Sequence, residues 1–210
     1  MNQLISYKEM LIKEANELKY RVVFSGGARS NKACHDPNYV IIINRKEDDL
    51  DTKTIYSFAH EIGHCIDFRN GMLDFQKYKK EPKYRIQKEI TAWYFGYTLC
   101  RNLKIPIDGY MKHAFKCMQS YLNKKGECDM EFWALAYQYQ EDVFYDFAKE
   151  EDTLDLSETC FLPTKDVAED FISHHLDEDY VPVKIELETL QKNGIWSYTR
   201  GQVERWDDVE

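Results

Sequence analysis

The chain has 210 residues, 43% hydrophobic and 14% aromatic, enough for a substantial core in one large domain or a domain with an extension. Its net charge is −9, no apolar run reaches the length of a membrane span, and no basic helix or base-reading motif marks it for nucleic acid. Residues Met1 to Glu9 carry no signal-peptide pattern, and the six scattered cysteines form no Cys-x-x-Cys pair, so they read as reduced thiols in a cytoplasm.

Leu4, Ile5, Met10, Leu11, Ala15 and Leu18 alternate with Lys and Glu at helical spacing, which predicts an amphipathic helix over residues 4–20. Arg21-Val22-Val23-Phe24 reads as a short strand, and residues 25–31 as a turn whose glycine pair lacks the Lys-Ser/Thr ending of a phosphate loop. Cys34-His35-Asp36 falls in the next loop. A thiolate there can ligate zinc, which makes an inhibitory cysteine conceivable; a loop cysteine without a role is the plainer reading. Tyr39–Asn44 is the strongest strand pattern in the chain.

After this strand comes His60-Glu61-Ile62-Gly63-His64. Ile55, Phe58, Ala59, Ile62 and Ile66 form an apolar stripe at helical spacing, with Asp49 or Asp51 placed to cap the start and Asn70-Gly71 to end the helix. On such a helix His60 and His64 project from one face and can bind one zinc ion. Glu61 is then the general base for the attacking water. A chain of this composition yields about 0.015 accidental matches to His-Glu-x-x-His. The alternative is a surface helix that happens to carry two histidines.

Zinc needs a third protein ligand, and two carboxylates compete for the place. Asp67 shares the helix, but its short side chain starts nearly a turn beyond His64. Glu89 follows 25 residues after His64, in a second helical pattern opened by Pro82 and running to about Arg101. Ala92, Phe95, Gly96 and Leu99 give that pattern a small, apolar face suited to close packing. Glu89 is the favoured ligand, with Asp67 a hydrogen-bond partner of a histidine ring N–H.

His60-Glu61-Ile62-Gly63-His64 followed by Glu89-x-x-Ala92-x-x-Phe95-Gly96-x-x-Leu99 resembles the ImmA/IrrE family of zinc metallopeptidases, a branch of the gluzincins, over about residues 20–106. The resemblance implies a strand before the motif helix and a third ligand from the Glu-x-x-Ala helix. It also implies a protein substrate, often a transcriptional repressor of a mobile element or stress response. In zinc peptidases of this architecture an edge strand holds extended substrate by backbone pairing, a role expected here of Tyr39–Asn44. One position departs from the pattern. Trp93 stands where such families often carry Asn or Asp, so that residue's hydrogen bond is missing or comes from elsewhere, with Asp67 the nearest source.

Residues 71–80 read as a loop with Met72, Phe75, Tyr78, Lys79 and Lys80, and a further helix is expected over 108–123, with His113 in a structural place. Beyond residue 125 the character changes. Residues 1–125 hold 22 Lys+Arg against 14 Asp+Glu, and residues 126–210 hold 6 against 23, so the halves carry +8 and −17. Attraction between the halves is the bland account; an acidic half that engages or mimics a polyanion-binding surface is the sharper one. Met130, Trp133, Ala134, Tyr137, Phe144 and Ala148 suggest a packed helix, residues 166–174 a short helix, and Val181–Glu188 with Ile195–Tyr198 a hairpin turning near Asn193-Gly194. His174-His175 can supply at most one oxyanion donor, and exposed histidines beside an acidic run is the simpler account.

The expected fold class is α+β: a mainly helical zincin-like domain over residues 1–125, with a small sheet whose edge strand precedes the motif helix. An acidic, aromatic-rich α/β extension over residues 126–210 packs on it. The expected function is Zn²⁺-dependent peptide hydrolysis, with His60, His64 and Glu89 as ligands and Glu61 as base. The substrate is a protein bound as an extended peptide, with no direct nucleic acid and no membrane. The alternative is a metal-containing module that sequesters a protein without cutting it.

Overall fold

The computed structural model describes residues 3–118, 127–140, 142–154, 156–190 and 196–200. It is a mixed α and β protein with two small sheets, and it divides into two compact units, Met1–Ala114 and Phe115–Glu210. No helix among the described residues is long and apolar enough to cross a membrane.

The first unit opens with α1 (Gln3–Glu17), which buries Leu11 and Ala15. Three short strands follow, β1 (Arg21–Phe24), β2 (Lys32–Cys34) and β3 (Val40–Ile43). Their order in the sheet is β1-β3-β2, with β3 parallel to β1 and antiparallel to β2. The strand before the motif helix is therefore central, and the expected edge strand is corrected. Ile41 and Ile43 are fully buried because both neighbouring positions are taken, and the free edge on that side belongs to β2. The sequence pattern records only burial, which a central strand satisfies better than an edge one.

The motif helix α2 (Thr52–Arg69) starts where Asp51 accepts a 2.7 Å hydrogen bond from the Thr54 N–H. It ends at Asn70, whose N–H donates to the Ile66 carbonyl, with Gly71 at φ +71° supplying the left-handed turn. The expected loop at 71–80 instead contains a short helix, α3 (Phe75–Lys80), capped by the Asp74 carboxylate. Then α4 (Pro82–Asn102) begins on Pro82, as the missing N–H of proline favours. Helices α2 and α4 cross closely because glycine stands at the contact. A methyl group on Gly63 would collide with the Ala92 carbonyl, and one on Gly96 would come 2.8 Å from the Ala59 carbonyl oxygen. This crossing brings Glu89 to the histidine face of α2.

Helix α5 (Tyr110–Met118) runs across the division between the units, and residues 119–123 of the expected longer helix lie outside the described residues. In the second unit the helix expected over 130–148 is a correction. These residues form β4 (Glu127–Tyr137) and β5 (Phe144–Asp146). Phe132, Ala134 and Ala136 are buried while Glu131, Trp133 and Tyr137 are less so, an alternation broken only by the buried Leu135, and the crowded apolar run also fits a helical stripe. The decision comes from the partner, since Val181, Val183 and Ile185 pair opposite Ala136, Ala134 and Phe132.

The remaining elements are β6 (Glu151–Thr153), α6 (Lys165–His175), β7 (Tyr180–Leu190) and β8 (Trp196–Arg200). The five strands form one antiparallel sheet in the order β6-β5-β4-β7-β8, with α6 packed on β4 and β7. Strands β7 and β8 pair as expected, and their turn at Asn193-Gly194 lies outside the described residues. Phe115, Phe132 and Phe161 stack at centroid separations of 4.6–5.8 Å and anchor this unit's core.

Candidate metal centre

His60 and His64, one turn apart on α2, meet Glu89 from the second turn of α4. His60 Nε2 lies 3.4 Å from one Glu89 carboxylate oxygen and His64 Nε2 3.5 Å from the other. All three ligand atoms fall within 4.8 Å of one another, and the residues are only 5–8% exposed. Such a His-His-Glu group can hold a metal ion. Four ligands at about 2.05 Å around zinc stand roughly 3.3 Å apart along a tetrahedral edge, close to both histidine–carboxylate separations.

The electrostatics of the group fit shared charge. For Glu89, burial favours the neutral acid, but the His64 charge and hydrogen bonds from both imidazoles outweigh it and hold the carboxyl well below its usual range. Burial pushes His60 down to about 4 despite its Glu89 hydrogen bond. Burial lowers His64 too, yet Glu89, with Glu61 and Asp67 beyond it, shifts the balance upward. Glu61, 6% exposed between the histidines, is pushed up to about 7 by burial, opposed by the His64 charge. A carboxylate poised near neutrality can take up a proton and release it. The backbone of Ala33 on β2 lies beside the Glu61 carboxylate and favours its charged form, the smallest of the influences on it.

The surroundings depart from expectation at Asp67. Its carboxylate accepts a 3.0 Å bond from Lys88 Nζ, and its other oxygen has no partner among the described residues, so it does not hold a histidine N–H. His60 Nδ1 is likewise buried and unpartnered there. Trp93 takes the place of a hydrogen bond by stacking on the His60 ring, with centroids 4.0 Å apart and planes at 20°. His113 braces this wall, edge-on to Trp93 and hydrogen-bonded to Ser57 Oγ of α2 at 3.0 Å.

Two contributors had escaped the sequence pattern. Tyr78 of α3 donates its hydroxyl hydrogen bond to Glu89. An Asp74 cap ahead of Phe75 and Tyr78 at i, i+3 was the available sign of that helix. His35, just past β2, stacks on Phe68 at 4.5 Å and meets the Tyr20 hydroxyl at 2.7 Å through Nδ1. Burial, with His64 and Arg69 nearby, pushes it down to about 4, so it stands as a neutral aromatic wall at pH 7. Cys34 is a free, partly exposed thiol on β2. His174 and His175 are exposed at the end of α6, where His174 Nδ1 is 2.8 Å from the Asp170 carbonyl of its own helix. No protein-family model, characterised protein or solved structure matches the chain.

Proposed function

We propose that the protein is a Zn²⁺-dependent metallopeptidase of the ImmA/IrrE type that cuts a protein bound as an extended peptide. The observation that carries this reading is the convergence of His60, His64 and Glu89 with Glu61 buried beside them. The three ligands would hold the zinc, leaving one position of its shell open. When bound, the metal supplies Lewis acidity toward the scissile carbonyl and makes a water nucleophilic near neutral pH.

The rest falls to the chain's own residues. Glu61 accepts the proton of the attacking water at its carboxylate and passes it to the leaving nitrogen, a transfer suited to a carboxyl near 7. Tyr78 orients Glu89 through its hydroxyl. Strand β2, not β3, offers the peptide a free edge, and the Ala33 backbone on that strand lies beside Glu61. Backbone pairing there would lay the peptide past the base. The resemblance implies a regulator, often a repressor, as substrate, and six scattered cysteines with no Cys-x-x-Cys pair suit action in a cytoplasm.

The test is a proteome-wide search for new N-termini in cells expressing the parent or Glu61→Gln. The substitution keeps size and hydrogen bonding but removes the base. New termini are expected with the parent and not with the variant. If the variant retains the full cellular effect, sequestration without cleavage replaces this reading.

A further inference from the structure

Beside the ligand set lies a group of aromatic rings that neither metal binding nor proton transfer uses. Phe68 stands one turn after His64 on α2. His35 stacks on it at 4.5 Å with planes at 17°, and Phe75 leans on both rings at 5.5 Å. The group is not sealed. Phe75 is 38% exposed and Met72, at the start of the same segment, 44%. Leaving the Phe75 ring partly in water beside a polar site costs solvation free energy that α3 would avoid by turning it inward.

Two connections fix where this apolar platform sits. Phe75 and Tyr78 share one face of α3 at i, i+3, and Tyr78 reaches Glu89, so α3 carries the Phe75 ring on the same face as a side chain that touches the ligand set. On the other side, His35 follows directly after the end of β2, two residues beyond Ala33, whose backbone lies by Glu61. A peptide paired on the β2 edge turns every second side chain to the same side. A residue whose backbone lies at Ala33, against the base, therefore has its neighbours carried toward His35 and Phe68.

We propose that Phe68, Phe75 and His35 form a subsite for a large apolar side chain, aromatic above all, adjacent to the scissile bond of the substrate. The proposal rests on the metallopeptidase reading and adds to it the class of residue selected. Stacked and tilted rings favour a further ring over a branched aliphatic chain. The neutral His35 adds no charge that would repel an apolar group.

Two hydroxamates test it on the zinc-loaded protein, because a hydroxamate binds the metal while its side chain samples the subsite. Phenylalanine hydroxamate is expected to bind at least about tenfold more tightly than glycine hydroxamate by calorimetric titration. In Phe75→Ala, where the lost ring is partly exposed and the fold should persist, the ratio should fall below about threefold. Equal affinities in the parent, or a ratio that survives in Phe75→Ala, overturn the subsite. Protein that holds stoichiometric zinc but binds neither hydroxamate overturns it as well. Protein that takes up no zinc overturns the metal-centre reading beneath it.

Discussion

Glu61 is held where its charged form is disfavoured, and this has a measurable consequence for stability. A carboxyl raised to about 7 binds more protons in the native than in the unfolded state between pH 4.5 and 7, so native stability falls as pH rises through that window. Glu61→Gln removes the burden. In metal-free protein the variant should be more stable than the parent at pH 8, by of order 1–3 kcal/mol, with the gap closing toward pH 4.5. Denaturant melts at the two pH values check this, and a variant less stable at pH 8 contradicts the burial argument. Asp67 and Glu89 separate just as sharply. On the proposed function, Glu89→Ala should abolish stoichiometric zinc uptake, since it would remove a direct ligand. Asp67→Ala should retain zinc but lose about 3 kcal/mol, because it strands Lys88, only 12% exposed, without its partner. Metal analysis beside thermal melts decides, and loss of zinc in Asp67→Ala would return that residue to the metal. That His60, His64 and Glu89 come together could be anticipated because helical spacing alone sets two imidazoles on one face, and small residues around Glu89 announced a close helix. Tyr78, His35 and the Ala33 backbone could not be, since each acts across elements whose approach no local pattern encodes.

At the scale of elements, the site depends on how closely α2 and α4 approach. Gly63 and Gly96 lie at that crossing, and either methyl group would meet backbone, which cannot swing aside as a side chain can. Gly96→Ala should destabilise the protein by about 2 kcal/mol or more and weaken zinc binding by moving Glu89 outward from the histidines. Zinc titration monitored with the melting temperature reads both effects. Unchanged zinc affinity in a destabilised variant would show that α4 adjusts without carrying Glu89. Helix boundaries in this unit were legible because Asp51, Gly71 and Pro82 act locally. Strand order was not, because a buried run such as Val40–Ile43 looks the same in the middle of a sheet as at its edge. The aromatic run near residue 133 satisfied a helical and an alternating pattern together, and only pairing with Val181, Val183 and Ile185 separates them.

For the whole molecule, the two compact units divide the chemistry unevenly. Every residue of the candidate centre, from Ala33 to His113, belongs to Met1–Ala114, and the acidic sheet belongs to Phe115–Glu210. A ligand stabilises whatever must unfold to release it, by about 2.7 kcal/mol at a free concentration one hundred times its dissociation constant. For a unit of this size that corresponds to roughly 10 °C in melting temperature. Zinc should therefore raise the melting of the first unit and increase hydrogen-exchange protection in α2 and α4. A chelator should reverse both changes. The core of the second unit, stacked on Phe115, Phe132 and Phe161, contains none of the three ligands and should keep its protection, with α5 the one element that shares both responses. Peptide-level exchange with and without zinc makes the comparison directly. If strands β4 and β7 gain protection equal to that of α2, the units unfold as one cooperative body, and the acidic half is then part of what zinc stabilises.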